Sequence, residues 1–358
     1  MPHGRLETPT TRTTRRPPRP TGGARRLVAG AAVGLAAAAC GEAVHAASST
    51  TAQAAQAAQA SRAPRGPDGG SAEPVIFAPG VISDGREQWR ITFTPNGKVA
   101  YFAASDRFFP VTRQATIYVT RRTRDGWSPP EVAPFSGRYS DIDPFVTPDG
   151  RRLYFSSIRP VNGVVRGDID LWVVERTRGR DGEESWGEPV RLGDEVNSPA
   201  DELYASASGD GTLYFASGPA SPQPGRDFDI YRAERRGSSP DGPRFAPRVA
   251  VGPGVNTAPV PGGGLQDAWE FNPEVSVDGR TLLFTSLRPG GFGLGDLYVS
   301  TFERGAWSPA RNLGPAVNTS ADEYHPTLSR DRGTLYFVRR GPAPGDFYRI
   351  AARELRLR

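Results

Sequence analysis

The amino-acid sequence predicts an all-β fold built from five copies of one antiparallel sheet unit. The clearest copy occupies residues 269–300 and reads WEFNPEVSVDGRTLLFTSLRPGGFGLGDLYVS. Alternating apolar residues lead to an Asp-Gly turn, a short apolar run follows, and a glycine-rich loop leads to a third apolar run. This order predicts a β-hairpin extended by a third strand. The 42 glycines and 35 prolines of the chain also favour a β protein with many turns over a helical one.

The same unit returns along the chain at intervals of about 55 to 70 residues, a period typical of stacked or radially arranged repeats. Each copy has one turn glycine between its first two strands: Gly97, Gly150, Gly211, Gly279 and Gly333. Strand A precedes this turn, strand B follows it, and strand C follows the next loop. A fourth strand, D, is predicted after a turn with an aromatic residue at its start: Trp127, Trp186, Phe245 and Trp307.

The fifth copy ends at Arg358 with little room for a strand D, whereas an unassigned apolar segment, Pro74–Gly80, precedes the first copy. This segment resembles the D strands of other copies, so we expect it to complete the fifth unit and close a ring. Closure of this kind removes a free sheet edge. Five units are therefore predicted, and six are the alternative if the two terminal segments form more strands.

Three segments carry a resemblance to a known repeat. They are P-x-x-x-x-D-G-x-x-L-Y-F over Pro144–Phe155, a glycine-rich tail over Gly290–Ser300, and W-S-P-A-R-N-L-G-P-A-V-N-T over Trp307–Thr319. These segments resemble the WD40-like (PD40-type) β-propeller repeat of TolB-like envelope proteins. The resemblance covers about four fifths of the chain and implies a single β-propeller over residues 74–358. Propellers have many unrelated activities, so the fold alone does not assign one.

The N-terminal 40 residues are predicted to be an export signal. Residues 1–26 contain seven arginines and one acid, and residues 27–39 form an apolar run that is too short to span a bilayer. The Arg25-Arg26 pair favours the twin-arginine export route. Residues 41–73, rich in Ala, Gln, Pro and Gly, are predicted to be a disordered tether. The propeller is therefore expected outside the cytoplasm, in the periplasm or at the cell surface.

Cys40 is the only cysteine and follows Ala37-Ala38-Ala39 at the end of the apolar run, where lipoprotein signals have their lipid-accepting cysteine. Lipidation of Cys40 is one interpretation, and cleavage after Val44-His45-Ala46 is the other. A lipid on Cys40 is the only membrane attachment that we expect. We also expect a monomer.

Charge and residue types exclude several functions. The positive net charge lies in residues 1–39, and the remainder of the chain is close to neutral, so no nucleic-acid partner is expected. With Cys40 as the only thiol and His325 as the only histidine beyond residue 45, the propeller has no ligand set for zinc and no cysteine nucleophile. We predict neither a metal site nor a cofactor.

Two sets of polar residues recur in the A strands. The first set is acidic in four copies and glutamine in the first: Gln88, Asp141, Glu202, Glu270 and Glu323. The second set lies two residues later on the same strand face and differs in every copy: Arg90, Asp143, Tyr204, Asn272 and His325. Strand A is the innermost strand of a propeller blade, so both sets are expected around one mouth of the central channel. Uniform acids favour a structural role, whereas the varied set is compatible with water filling or with ligand binding.

The long loops indicate which mouth is functional. Insertions concentrate in the B–C loops and in the D–A loop over residues 252–268, which share one face of a propeller. Such loops commonly carry binding residues. The predicted binding residues at this mouth and on this face are Gln88, Trp89, Arg90, Asp143, Tyr204, Trp269, Asn272, Phe292 and His325, with Phe108 and Phe109 as further aromatics.

Two functions remain compatible with these residues. The favoured hypothesis is a non-catalytic propeller that binds a protein, peptide or glycan of the bacterial envelope. The alternative is a glycoside hydrolase, which needs carboxylates roughly 5 to 10 Å apart. Its candidate catalytic residues are Asp141, Asp143, Glu202, Glu270 and Glu323. Acids repeated in four of the five copies favour a scaffold role over catalysis.

Overall fold

The computed structural model describes residues 73–178, 184–220, 227–239, 242–259, 262–264, 266–355 and 357. The export signal predicted for residues 1–40 lies outside these ranges, as does the predicted tether except for its last residue. Almost all regular structure in the described ranges is β-strand. The helical segments there are the four-residue α-helix Phe109–Thr112 and the 3-10 turn Ala352–Leu355.

Five four-stranded antiparallel sheets follow one another along the chain, and we number them as blades 1 to 5. The A strands are Glu87–Phe93, Asp141–Val146, Asp201–Ala207, Glu270–Val275 and Asp322–Leu328. The B strands are Val99–Ser105, Arg152–Ser157, Leu213–Gly218, Thr281–Ser286 and Thr334–Arg340. The C strands are Thr116–Arg121, Asp170–Arg178, Asp229–Ala233, Asp296–Glu303 and Asp346–Ala351. The D strands are Glu131–Val132, Val190–Arg191, Val249–Ala250 and Arg311–Asn312, with Val75–Ile76 as the fourth strand of blade 5.

The ring closes through the first strand of the chain. Val75 pairs with Arg349 and Ile76 with Tyr348, and the Phe77 amide donates to the Phe347 carbonyl at 2.7 Å. Each A strand lies against the A strands of both neighbouring blades, including strand A of blade 5 against that of blade 1. The fold is a five-bladed β-propeller. The predictions of five blades and of closure by the N-terminal strand are confirmed.

Phe77 anchors the closing strand in the core between blades 5 and 1. Its ring centroid lies 5.0 Å from that of Tyr336 and 6.0 Å from that of Trp127, and 3 % of the residue is exposed. Edge-to-face contacts of this kind stabilise beyond the area that they bury. The short strand therefore depends on a buried side chain as well as on its few backbone hydrogen bonds.

The position of strand D differs from the prediction. The aromatic residues Trp186 and Trp307 pair with the outer end of strand C, in the short strands Glu184–Trp186 and Ala306–Trp307, and strand D proper begins four residues later. In blade 3 the pair Arg235–Ser239 and Gly242–Phe245 forms a separate hairpin. In each of these blades the segment between the aromatic residue and strand D contains a proline, which has no N–H group to donate to the sheet.

An asparagine in the D–A loop that follows blades 2, 3 and 4 binds to strand C of the same blade. Asn197 accepts from the Leu171 amide at 2.8 Å and donates to the Leu171 carbonyl at 3.0 Å. Asn256 makes the same pair of bonds to Ile230, and Asn318 makes it to Leu297. The side-chain amide thus replaces a strand partner at the start of strand C, which fixes the long loops to the scaffold.

The described residues contain no helix with the length and hydropathy that a transmembrane span requires.

Candidate functional site

Every A strand contains a break in its pairing register at the channel. In four blades the residue at this β-bulge has a positive φ angle: Asp143 (58°), Tyr204 (65°), Asn272 (53°) and His325 (53°). Left-handed backbone is unfavourable for residues other than glycine and is retained when the surrounding structure enforces it. The four residues belong to the varied polar set of the sequence, and the fifth member, Arg90, lies at the corresponding register shift in blade 1. The bulge therefore recurs wherever this set occurs.

The varied set forms a closed polar centre. Arg90 is 1 % exposed and donates to the carbonyls of Tyr204 at 3.2 Å and Pro273 at 3.3 Å, and it forms an ion pair with Glu274. These contacts join blades 1, 3 and 4 across the axis. Arg90 is therefore committed to holding blades together.

His325 and Asp143 complete this centre. The Asn272 amide lies 3.1 Å from His325 Nδ1, and that nitrogen lies 3.6 Å from Asp143 Oδ1. Both oxygens of Asp143 are buried without a hydrogen-bond partner among the described residues. Burial raises the pKa of Asp143 well above its usual range, although Arg90 opposes this shift. Burial and the charge of Arg90 lower the pKa of His325. The site thus favours the neutral form of both groups.

The four repeated acids have a different environment, because each one joins the D–A loop to strand B of its own blade. Glu202 accepts from the amide and hydroxyl of Ser198, from Ser217 and from Arg248, at 2.6 to 2.8 Å. Glu270 makes the equivalent contacts to Thr257, Ser286 and Arg288 at 2.9 to 3.0 Å.

The other two acids follow this pattern with local changes. Asp141 accepts from Ser136, Ser157 and Arg159, and Glu323 accepts from the Thr319 amide, the Thr319 hydroxyl and Arg339. All four acids are completely buried. Burial raises the pKa of Glu270 to about 6, and the hydrogen bonds and Arg288 oppose the rise. We call this arrangement the acid latch.

Blade 1 uses the same latch with its chemical roles exchanged. Gln88 replaces the acid, and its side-chain amide donates at 2.9 Å to Asp84, four residues earlier. Asp84 also accepts from Arg86 at 2.9 Å, and Arg86 stacks over Tyr118. In other blades the latch arginine similarly stacks over strand C, as Arg339 does over Tyr348 at 4.8 Å. In blade 1 the carboxylate thus lies in the loop and its partner on strand A, so the contact between strand A and the loop is kept. Gln88 Oε1 is buried and has no hydrogen-bond partner among the described residues.

A pocket lies beside the polar centre, on the face that carries the B–C and D–A loops. It has a volume of about 80 Å³ and is lined mainly by aromatic rings from blades 1, 3, 4 and 5. Trp89, Phe108 and Tyr324 form one cluster, with ring centroids 5.6 to 5.8 Å from Trp89. Phe228 and Trp269 form a second cluster at 4.9 Å.

The remaining lining joins this pocket to the polar centre. The His325 ring lies 5.4 Å from Tyr204 and 5.2 Å from Tyr324, and Asn272 lies beside it. Asp322 also lines the pocket, and burial raises its pKa to about 6. Trp269 Nε1 and Tyr324 Oη are buried with no hydrogen-bond partner among the described residues. The pocket therefore combines aromatic surface with polar atoms that are not used by the scaffold.

The structure brings five of the predicted binding residues together at this pocket: Trp89, Tyr204, Trp269, Asn272 and His325. Of the others, Gln88 belongs to the latch, whereas Arg90 and Asp143 are buried in the polar centre. Phe292 is 49 % exposed on the B–C loop of blade 4, outside the pocket. Their roles in binding remain predictions.

Seven residues that line the pocket were not predicted from the sequence: Pro110, Phe228, Gln266, Phe271, Leu287, Asp322 and Tyr324. Phe271 and Tyr324 directly follow a latch acid, a position that Trp89 shares in blade 1. Strict alternation would turn these side chains away from the channel, but the bulge that follows changes the direction of the strand. The recurrence of aromatics at this position was the available signal.

Among the described residues, no group of three or more His, Cys, Asp or Glu side chains is placed to hold a metal ion.

The comparisons with known proteins show similarity in fold alone. No protein-family model matches the chain, and no curated protein matches its sequence. Among solved structures, TolB from Acinetobacter baumannii is 12 % identical, with 74 % of this chain and 54 % of that chain covered and a TM-score of 0.40. An α-L-arabinofuranosidase from Lactobacillus brevis is 14 % identical, with coverages of 74 % and 90 % and a TM-score of 0.46. A periplasmic gluconolactonase from Pseudomonas aeruginosa is 15 % identical, with coverages of 71 % and 65 % and a TM-score of 0.40. This chain thus spans about half the length of the first of these proteins.

Proposed function

We propose that this chain is an exported, non-catalytic binding module of the bacterial cell envelope. It binds a protein, peptide or glycan through the loop-rich face of the propeller. The observation that carries the proposal is the aromatic pocket, in which Trp269 and Tyr324 have buried polar atoms that find no hydrogen-bond partner in the part of the chain that the structure describes. Binding pockets are commonly apolar clefts with a few polar groups that orient the ligand.

Exposed apolar side chains on the same face support a contact surface around the pocket. Among the large hydrophobic residues that are exposed in the described ranges, five lie on B–C loops: Val111, Val164, Val165, Phe292 and Leu294. Val165 is 78 % exposed, and Leu294 is 57 % exposed. Apolar side chains gathered on one face are typical of an interaction surface, and long loops on a rigid scaffold are typical carriers of binding residues.

The acid latch supports the non-catalytic part of the proposal. A glycosidase needs one carboxyl group that protonates the leaving group and a second that acts as base or nucleophile. Asp141, Glu202, Glu270 and Glu323 are completely buried, and each accepts at least three hydrogen bonds from its own loop and strand. Carboxylates engaged in this way stabilise the blades.

The glycoside hydrolase remains the second candidate because of Asp143. Its pKa is raised by burial, as in carboxyl groups that act as general acids, and neither of its oxygens has a partner among the described residues. Turnover should be measured on a panel of envelope glycans with the full chain and with Asp143→Asn and Glu270→Gln. We expect no turnover. Hydrolysis that either substitution abolishes, with the fold retained by circular dichroism, would replace the binding proposal.

Binding should be tested with the exported protein immobilised against arrays of envelope peptides and glycans. Trp269→Ala removes one wall of the pocket, and Phe302→Ala is the control, because Phe302 is 37 % exposed near the turn after strand C. We expect ligands that are retained by the unmodified chain and by Phe302→Ala but lost by Trp269→Ala. Retention of the same ligands by all three proteins would contradict a role for the pocket.

The proposals of export and of lipid anchoring are based on the sequence alone, on the arginine-rich N-terminal segment and on Cys40. We propose a periplasmic or cell-surface location with a lipid anchor on Cys40. The intact mass of the protein from envelope fractions tests this directly. A mass that corresponds to cleavage before Cys40 plus acyl chains supports the anchor, and a mass that begins near residue 47 indicates a freely secreted protein.

A further inference from the structure

We propose that the aromatic pocket binds a compact organic cation, such as a quaternary ammonium or the charged end of a lysine-like side chain. This inference rests on the proposed function, because it names the chemical group that the pocket receives. Three features of the pocket carry it: the aromatic faces, the sign of the charge that lines it, and its size.

Aromatic rings dominate the lining. Seven of them, from Trp89, Phe108, Tyr204, Phe228, Trp269, Phe271 and Tyr324, contribute to one small space. The face of an aromatic ring carries partial negative charge and attracts cations, most strongly at tryptophan, and several rings around one cation form the usual cage for quaternary ammonium groups. Two tryptophans in one pocket favour a cation over an anion.

The charge among the described lining residues is negative, which is complementary to a cation. Asp322 is the only charged residue among the described residues that line the pocket, and no Lys or Arg is included with them. One Asp322 oxygen accepts from the Gly295 amide at 3.0 Å. A carboxylate next to aromatic faces attracts a cation and repels an anion. His325 adds no positive charge, because burial and Arg90 lower its pKa.

Phe108, one of the lining rings, already contacts a cation from the protein itself. The Arg340 guanidinium lies 4.2 Å from the centroid of the Phe108 ring and forms an ion pair with Glu87 at 3.1 Å. Arg340 does not line the pocket. One ring of the pocket lining thus already makes a cation–π contact within the protein.

The size of the pocket selects a compact group. A volume of about 80 Å³ accommodates roughly six groups the size of water, since about 10 to 15 Å³ is needed for one. This is enough for a trimethylammonium head or the end of an alkylammonium chain. The mostly apolar lining offers too few hydrogen-bond partners for the several hydroxyl groups of a sugar ring.

The test compares choline with 3,3-dimethylbutan-1-ol, a neutral molecule of nearly the same shape. Binding to the full chain should be followed by the indole N–H resonances in ¹⁵N NMR spectra, where Trp269 reports directly because its Nε1 has no partner among the described residues. We expect choline to bind at least about tenfold more tightly than the alcohol. Equal affinities would overturn the cation proposal and leave the pocket as an apolar binding site.

Two variants locate the effect. Asp322→Asn keeps an oxygen for the Gly295 amide and removes the charge, so it should reduce the affinity for choline by about tenfold and leave that for the alcohol unchanged. Asp125→Asn, an equivalent change at an exposed turn of blade 1, should alter neither affinity. Loss of choline binding in both variants, or in neither, would contradict the assignment of Asp322.

The source of the cation is distinguished by a second titration with acetylated peptides that contain one lysine, trimethyllysine or norleucine. Tighter binding of a cationic peptide than of choline indicates a side chain of a protein, and the reverse indicates a small amine. If neither cation shifts the pocket resonances, the cation inference is wrong. The array experiment with Trp269→Ala then decides separately whether the face binds a partner.

Discussion

Replacing Glu323 by glutamine tests the acid latch at one position. Glu323 Oε2 accepts from the Thr319 amide at 2.9 Å, and Oε1 accepts from the Thr319 hydroxyl at 2.6 Å and from Arg339 at 2.7 Å. In Glu323→Gln one oxygen becomes an NH₂ group. That group would face the Thr319 amide, so that two donors meet in a completely buried site.

These contacts determine how much the free energy of unfolding should fall. A buried donor left without an acceptor costs about 1 to 3 kcal/mol. Arg339, which is 21 % exposed, loses the charge of its partner, and this adds about 1 kcal/mol. We therefore expect the free energy of unfolding of Glu323→Gln, from guanidinium denaturation of the full chain, to fall by about 2 to 4 kcal/mol. Glu303→Gln, at the exposed end of strand C of blade 4, is the control and should change the free energy of unfolding by less than about 0.5 kcal/mol.

Blade 1 supplies the second half of the experiment. Its Gln88 donates to Asp84, four residues earlier, and Thr319 has the same separation from Glu323. Thr319→Asp alone should destabilise the protein, because it places two carboxylates together. Combined with Glu323→Gln it recreates the arrangement of blade 1, and we expect a favourable coupling of at least about 1 kcal/mol. Additive effects of the two substitutions would refute the latch as described.

Three further outcomes follow from the structure. Phe77→Ala should lower the free energy of unfolding by about 3 to 5 kcal/mol, whereas Val132→Ala, at a half-exposed position on a D strand, should change it little. Burial raises the pKa of Asp322 to about 6 from about 3.9 in the unfolded chain, so the folded state binds this proton more tightly. Its stabilising contribution is therefore complete below about pH 4 and is lost as the pH rises through 6. Relative to Asp322→Asn, the unmodified protein should gain about 3 kcal/mol between pH 7.5 and pH 4 in urea titrations, and parallel pH profiles would contradict this. Gly254→Ala should cost at least about 2 kcal/mol, since a Cβ there would lie 2.2 Å from the Trp307 carbonyl oxygen, whereas Gly341→Ala meets no atom within 4 Å and should be neutral in thermal unfolding.

The architecture could be predicted because its signals are local and repeated. Turn residues such as Asp149 and Asp278 accept from the amide two residues later and from a hydroxyl two residues earlier, so each hairpin is specified within a few positions. Repetition then indicated the number of blades. The unassigned segment at Val75–Ile76 identified the closing strand, because blade 5 otherwise lacked its fourth.

The candidate site could be predicted only in part because its geometry depends on neighbouring blades. Asp143 lies in blade 2 and His325 in blade 5, three blades later in the chain, yet their side chains meet at the axis. No glycine marks the left-handed backbone at these residues in the sequence. Tyr324 was missed for this reason, since its direction is set by the bulge and not by strand alternation.

The sequence separation between the N-terminal segment and blade 5 also determines when the ring can close during folding. Ser83 and Phe347, which exchange hydrogen bonds, are 264 residues apart, so this joint cannot form until Phe347 has been synthesised. Until then blade 5 lacks an outer strand, and the first segment has no sheet to join. Contacts over such distances slow folding and leave partly assembled chains prone to aggregation. The ring therefore closes only after strand C of blade 5 has formed, and any ligand that holds Val75–Phe77 away from that strand would delay closure.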